Sequence, residues 1–449
     1  MLERRIKQEI RDFLDGDRKE ALMVTGARQV GKTYIIRECA KEIYKNIVEI
    51  NFVENQQAVK LFANTTGSKD ILLRLSALTD VPMIPGETLI FFDEVQECPE
   101  IVTAIKFLVE DGQYRYILSG SLLGVELKDI RSVPVGYLSI LEMYPLDFRE
   151  FCEANRVSQT VMDKLKECFE KKQPVDELIH EKMMELFRLY LIVGGMPQAV
   201  NAFVKHNDFD EVDRVKRRIL NLYRDDIRKH AKGYEMKVEA IYDEIPSQMK
   251  NQNQHFKLSS LKQGARFDEY KDAMFWLSDA MIVNHCYNAT EPTFGLNLNR
   301  DRTLLKCYMG DTGLLISHAF DENGIVTGEV YKKLLLDKLE VNMGMVMENM
   351  VAQMLTASGH KLYFYSNSSR SDASSRMEID FLIAKSQISN RHNISPIEVK
   401  SSKNYTLSSL KKFKTKYAEQ LHIPYVLHTG DFKEEDGIVF LPLYMTPLL

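Results

Sequence analysis

The stretch "ALMVTGARQVGKTYIIRECAKEI", residues 21–43, opens with an apolar run, Ala21 to Val24, and closes in a helical pattern from Tyr34 to Ile43. Between them stand Gly26, Ala27, Arg28, Gln29, Val30, Gly31, Lys32 and Thr33. A short apolar run bounded by glycine reads as a buried strand, so the order is strand, glycine-rich turn, helix. Glycines at this spacing let backbone N–H groups close around phosphate oxygens, and the helix start adds partial positive charge. The expected cradle runs from Gly26 to Tyr34, with Lys32 reaching the β- and γ-phosphates and Thr33 ligating Mg²⁺. A turn that merely joins strand to helix is the bland alternative, and the complete motif in its strand–helix context weighs against it.

Such a cradle needs an acidic strand end to hold the metal of ATP·Mg²⁺. "TLIFFDEVQECPE" supplies it: four apolar residues, Leu89 to Phe92, then Asp93 on the metal side and Glu94 as the general base that polarises the attacking water. "NIVEINFVE" (46–54) and "YRYILSGS" (114–121) are also strand-like, which predicts a parallel sheet with helical crossovers.

At this point the chain resembles the AAA+ ATPases, in the prokaryotic branch carrying "RQVGKT", "DEVQ", "LSGS" and "PLDFREF". These are Arg28–Thr33, Asp93–Gln96, Leu118–Ser121 and Pro145–Phe151 here. The resemblance implies ATP hydrolysis, assembly into a homo-oligomer, and a sensor hydroxyl at the γ-phosphate from Ser119 or Ser121. It also implies that Gly195-Met196-Pro197 lies near the adenine, with Pro197 in contact; a helix–loop–helix corner is the other reading of that glycine–proline element. Where related chains carry Gly-Arg before the last core strand, this one has Gly136-Tyr137, leaving Arg131 as a substitute for an arginine acting in trans.

Length and composition set the frame. A chain of 449 residues, 45% hydrophobic and 27% charged, predicts two to four ordinary globular domains. The N-terminus "MLERRIKQEIRDFL" is charged throughout, and the longest uncharged run, 189–204, is too short and broken for a membrane span. Six cysteines form no C-x-x-C pair, so the expected setting is cytoplasmic, with no membrane partner. A net charge of −5 announces no nucleic-acid binder, so any such partner must be recognised by local patches.

Residues 151–233 are helical in period and read as a lid; their last part, 214–233, carries eight Lys/Arg against two Asp. That run could track phosphates or be a solvated basic face. Residues 234–325 have the layout of a winged helix-turn-helix, with Ser259 as a helix cap and Gly264 in the turn. The would-be recognition helix, 266–279, has a net charge of −2 from two basic and four acidic residues, which suits protein contact better than DNA bases.

The last stretch, 326–449, holds a second constellation. "MEIDFLIA" (377–384) puts Glu378 and Asp380 on one strand face, and "PIEVKS" (396–401) puts Glu398 and Lys400 on another. Glu348 stands at the edge of a methionine-rich helix face and needs a partner. If the strands pair, Glu348, Asp380, Glu398 and Lys400 converge, with Asp380 and Glu398 as ligands of a second Mg²⁺ and Lys400 positioning a nucleophilic water. This order resembles the PD-(D/E)XK nuclease fold. A salt-bridged cluster that does not cut is the alternative. "SSKNYTLSSLKKFKTKY" (401–417) adds Lys403, Lys411, Lys412, Lys414 and Lys416, with Tyr405, Phe413 and Tyr417 interleaved, as in nucleic-acid contacts.

The predicted class is α/β: an AAA+ P-loop core (1–150) with a parallel sheet, the helical lid, the winged-helix module, and a restriction-endonuclease-like α/β domain. The expected function is an ATP-binding and -hydrolysing protein acting on DNA, branched or single-stranded forms included, through Mg²⁺-dependent cleavage or binding. The alternative is a nucleotide-dependent signalling or scaffold switch with an inert nuclease-like end.

Overall fold

Two units make up the chain, residues 1–144 with 275–281 and residues 145–274 with 282–449. The structure, a computed structural model, describes residues 2–62, 67–121, 136–250, 255–293, 295–320, 330, 331, 333, 342–367, 375–384, 393–402 and 404–449. Arg131, Lys403 and the expected boundary at 325/326 lie outside the described residues.

The first unit runs α1 (Ile6–Asp15), β1 (Ala21–Thr25), α2 (Lys32–Ile43), β2 (Asn46–Asn51), α3 (Ser68–Leu78), β3 (Thr88–Asp93), α4 (Glu100–Asp111), β4 (Arg115–Gly120) and β5 (Leu138–Glu142). The strands form one parallel sheet in the order β2-β3-β4-β1-β5. All six residues of β3 are buried, as a parallel strand covered on both faces requires. Because β4 inserts between β1 and β3, the ends of these strands lie side by side. Val24 stands opposite Ser119, and Asn51 opposite Asp93.

The second unit starts with five helices: α5 (Phe148–Ala154), α6 (Gln159–Lys171), α7 (Glu177–Val193), α8 (Pro197–His206) and α9 (Phe209–His230). The "PLDFREF" motif is a capping box here. Asp147 accepts from the Glu150 N–H at 2.8 Å, and Glu150 accepts from the Asp147 N–H at 3.1 Å. Next come α10 (Glu235–Glu244) and α11 (Phe267–Asp279), the latter crossing the division between the units. The helix expected after Ser259 is a single 3₁₀ turn, Leu258–Ser260, in which the Ser260 hydroxyl donates to the Lys257 carbonyl at 2.6 Å. Short hydroxyl residues offer the backbone such local alternatives to a helix.

The remaining elements are β6 (Val283–Ala289), β7 (Arg300–Met309), α12 (Thr312–Ala319), α13 (Met343–Ala357), β8 (Tyr363–Asn367), β9 (Met377–Ala384), β10 (Ile394–Val399), α14 (Ser408–Lys416), β11 (Tyr425–His428), β12 (Lys433–Glu435) and β13 (Ile438–Pro442). They build a mixed eight-stranded sheet in the order β12-β13-β11-β10-β9-β8-β6-β7. The β6–β7 hairpin, expected as a wing, forms the end of this sheet: β6 pairs in parallel with β8, Tyr287 opposite Tyr363 and Asn288 opposite Phe364. A division at 325/326 therefore cuts through one continuous sheet. The reason is that hairpin edges are unpaired backbone, and β8 satisfies them.

A polar knot ties the helices to this sheet. Asp311 caps α12 by accepting from the Leu314 N–H at 2.9 Å, and it also accepts from the Gly195 N–H at 2.6 Å. The corner leaves no room for side chains: a Cβ on Gly195 would meet the Leu146 carbonyl oxygen at 2.2 Å, and one on Gly313 the Val193 carbonyl oxygen at 2.5 Å. Lys216, fully buried on α9, donates to the Ile192 carbonyl at 2.7 Å and lies over the Tyr331 ring. So the basic run on α9 is partly internal, with Arg217 also held by Asp213 at 2.6 Å.

Burial pulls the Lys216 ammonium down from 10.5 to about 8, against the opposing charges of Asp213 and Asp311. Between those two values the unfolded chain holds this proton and the folded chain does not, so stability rises with pH across the window and the full penalty applies below it. The size is about 3 kcal/mol. Lys216→Met is expected to remove this rise; urea midpoints measured from pH 7 to 10 on both proteins check it, and parallel curves would refute it.

Candidate functional site

In the first unit the Gly26–Thr33 turn wraps the start of α2. Gln29 and Gly31 take positive φ, 70° and 97°, and no side chain caps the helix. Its first-turn N–H groups therefore point into the turn that would hold phosphates. Lys32 Nζ donates to the carbonyls of Gly26 and Ala27 at 2.9 and 3.0 Å, which keeps the ammonium over the cradle. Tyr34 is half exposed on the first turn of α2.

Asp93 is the hub. Its Oδ2 accepts from Thr33 Oγ1 at 3.0 Å and from Asn51 Nδ2 at 3.2 Å, and its Oδ1 accepts from Ser119 Oγ. Burial pushes the Asp93 carboxyl up, while the Ser119 and Thr33 hydroxyls pull part of the way back. Glu94 follows in a left-handed conformation, φ 56°, with Gln96 Nε2 donating to its Oε2 at 2.5 Å. Ser119 is thus placed on the carboxylate; Ser121 is buried close by in sequence, at the end of β4. The donor set of a carboxylate and a hydroxyl, both oxygen, fits Mg²⁺, which Thr33 and Asp93 would hold.

Two residues here carried no motif. Asn51 ends β2 opposite Asp93. Arg4 sends Nη1 to the Val30 carbonyl at 3.0 Å and Nη2 to the Tyr144 carbonyl at 2.7 Å, pinning the cradle's backbone to the end of the sheet. The alternation of "NIVEIN" could have flagged Asn51; nothing local flags Arg4.

In the second unit, β9 and β10 pair antiparallel, and Asp380 Oδ2 accepts from the Val399 N–H at 2.8 Å. Lys400 Nζ lies 2.6 Å from Glu398 Oε2. Glu348 reaches the same cluster from α13, but its partners are on β7: Lys306 Nζ at 2.9 Å and the Tyr308 hydroxyl. Lys306 also sits 3.2 Å from Glu378 Oε1. Glu348, Asp380, Glu398 and Lys306 are all buried, while Lys400 and Glu378 are partly open. Burial raises Glu348 and Glu398 to about 7 each, with the nearby Asp380 charge adding to both. Lys306 is held above its ordinary value: burial pulls it down, but Glu348, Glu378 and Asp380 outweigh burial.

The four sequence-derived residues therefore lie together, around a lysine that sequence reading missed. A divalent cation does not fit there as it does beside Thr33, because an ammonium already occupies the space between Glu348 and Glu378. Among the described residues no three carboxylate, imidazole or thiol groups form a metal-ligating set.

The aromatic residues interleaved with the C-terminal lysines turn inward. Phe413 is fully buried, while Tyr405 and Tyr417 are partly buried against the same core, the Tyr365 and Tyr417 hydroxyls lying 2.8 Å apart. Lys411 pairs with Asp436 at 3.1 Å, and Lys412 and Lys416 lean on Arg376 O and Tyr365 Oη at 3.4 and 3.5 Å. Pro197 starts α8 in the second unit, at its first helical position.

Three family models match in succession: "AAA domain" over residues 18–152, "Domain of unknown function (DUF8612)" over 184–323 and "Domain of unknown function (DUF4143)" over 343–446. The fold and the first of these matches support an AAA-type P-loop ATPase at the front of the chain. The match at the back lends the nuclease expectation no support. A comparison with curated proteins gives no match. Among solved structures, the chain is similar to the Walker-type ATPase PABY2304 of Pyrococcus abyssi (12% identity, 71% of this chain and 96% of that one, TM-score 0.42). It is also similar to the Aeropyrum pernix Orc1 protein in complex with DNA (10%, 71% and 91%, 0.27) and to a variant of Thermotoga maritima RuvB (16%, 62% and 87%, 0.28). No helix among the described residues is long and apolar enough to cross a membrane.

Removing the Arg4 anchor should loosen the cradle without touching the hydrolytic groups. Arg4→Ala is expected to weaken ATP binding about tenfold, the size of one or two hydrogen bonds from a charged donor. Titration with a fluorescent ATP analogue checks this, and unchanged affinity would show that the cradle holds its shape alone.

Proposed function

We propose that this protein binds and hydrolyses ATP with Mg²⁺ and uses the nucleotide cycle to govern its action on DNA, with the C-terminal unit as a binding element. The observation that carries the ATPase half is the set of side chains converging on Asp93, beside a complete phosphate cradle. Thr33 and Asp93 would hold the metal, which when bound would neutralise phosphate charge. Lys32 leaves its two carbonyls for the phosphate oxygens, and the Gly26–Thr33 backbone orients them. Glu94, steadied by Gln96, takes the proton of the attacking water, while Ser119 keeps Asp93 ionised and in place. Pro197 as an adenine contact and a homo-oligomeric assembly remain part of this reading through the resemblance to AAA+ proteins. The cytoplasm is its proposed setting, consistent with six separate, buried thiols.

DNA as the partner rests on the lysines of α14 and the segment before it. A second reading, a nucleotide-dependent signalling or scaffold switch, is favoured by the inward turn of the aromatics along that same segment.

Purified protein is expected to hydrolyse ATP only with Mg²⁺. Lys32→Ala abolishes turnover, and Glu94→Gln keeps ATP binding while lowering turnover by about 10²–10⁴-fold, the range for loss of a general base. Equal turnover in Glu94→Gln would remove that residue's role. Retention on linear, single-stranded and four-way DNA should fall steeply as salt rises if phosphates are contacted. No retention, or retention indifferent to salt, favours the switch.

A further inference from the structure

Lys306 is the unusual member of the buried cluster. It is 1% exposed, it comes from a strand far from β9 and β10 in sequence, and its Nζ bridges Glu348 and Glu378 at 2.9 and 3.2 Å. Its neighbour on the same strand face, Tyr308, donates to the same oxygen of Glu348, and the Phe364 ring lies 5.0 Å from the ammonium. The lysine is therefore enclosed by two carboxylates, a phenol and an aromatic face.

We infer that Lys306 holds the place a divalent cation would take among Glu348, Glu378 and Asp380, and that this cluster works without metal. Three observations carry this. A Mg²⁺ ion needs oxygens at about 2.0–2.1 Å in near-octahedral array, and the carboxylates here close on an ammonium at hydrogen-bond distance instead. Two further carboxylates are drawn to other groups: Asp380 Oδ2 accepts the Val399 N–H, and Glu398 Oε2 lies 2.6 Å from the Lys400 ammonium. Finally, two unit charges 4 Å apart repel by about 4 kcal/mol at an effective dielectric of 20, and a divalent ion doubles this to about 8. That repulsion opposes the attraction the carboxylates offer a cation. Moving Lys306 aside is no remedy, because the stem is packed in the sheet and an unpaired buried ammonium costs several kcal/mol.

The consequence goes beyond the ATPase reading and does not depend on it. Hydrolysis of a phosphodiester by a metal-activated water has no seat at this cluster.

The test uses the full chain without nucleotide, carrying Asp93→Asn to remove the metal site of the cradle. Mn²⁺ is titrated and its free form read by electron paramagnetic resonance, with melting temperature in EDTA recorded alongside. The expected result is no Mn²⁺ bound at the cluster and no shift in EDTA. Lys306→Met in the same background is expected to gain one Mn²⁺ per chain, a gain that Asp380→Asn abolishes. Should Lys306→Met fail to fold, Lys306→Met with Glu348→Gln removes a charge of each sign and keeps the readout. Mn²⁺ bound by the protein with Lys306 intact and lost on Asp380→Asn overturns the inference. So does a folded Lys306→Met variant that takes up none. Mn²⁺ whose binding ignores Asp380→Asn lies elsewhere and supports it. ATP turnover and DNA retention are separate measurements on the unmodified chain, so failure of the functional reading is told apart from failure here.

Discussion

A carboxylate at the end of a buried strand has to be given donors, and the first unit is organised around meeting that demand at Asp93. The residue is 2% exposed, and its partners come from three different elements: Thr33 from α2, Asn51 from β2 and Ser119 from β4. Hydrogen bonds to a charged acceptor are among the stronger ones available, and losing one leaves an unpaired acceptor in a dry place. Satisfying one side chain therefore fixes where three backbone segments end. The parallel order with β4 between β1 and β3 follows from the same requirement, since that insertion brings the Ser119 hydroxyl beside Asp93. The partners are neutral, so the carboxylate keeps its charge available to a cation.

The second unit meets the same demand with charge instead of neutral donors. Glu348 sits on the buried face of a methionine-rich helix, and burial alone would neutralise it. Lys306 and Tyr308, two positions apart on β7 and hence on one face, answer it together. That couples α13 to the β6–β7 hairpin and explains why the hairpin joins the C-terminal sheet instead of standing free as a wing. The knot at Asp311 makes the equivalent link to the helices, where two glycines let backbone approach backbone and the aspartate caps what remains.

Much of the front end was legible because its signal is local. A cradle of eight residues, an apolar strand and an acidic pair each carry their meaning in contiguous sequence, and the polar hub grows where those pieces meet. Strand alternation likewise put Glu378 and Asp380 on one face and Glu398 with Lys400 on another. What sequence could not supply was partner choice at long range. Lys306 lies 42 residues from Glu348, Arg4 26 residues from Val30, and Asn51 42 residues from Asp93. None stands out by type or spacing. The aromatics of 401–417 were ambiguous for a related reason: interleaving with lysine looks the same whether rings face bases or a core, and packing sends Phe413 into the core.

A carboxylate–lysine constellation does not define its chemistry until its counter-ions are known. Four acids and one lysine read from strands β9, β10 and helix α13 leave an excess of negative charge that invites a metal. Adding Lys306 changes that balance. With two ammoniums facing four carboxyls, two of which burial raises to about 7, the cluster carries far less negative charge than that first reading implies. Such a site ties helix α13 to strand β7 through Glu348, Lys306 and Tyr308. In the proposed reading the metal-dependent step belongs to the cradle, where Thr33 and Asp93 would present oxygen ligands. Energy input through ATP and structural constancy at the back are compatible demands, and the two ways of satisfying a buried carboxylate meet one each.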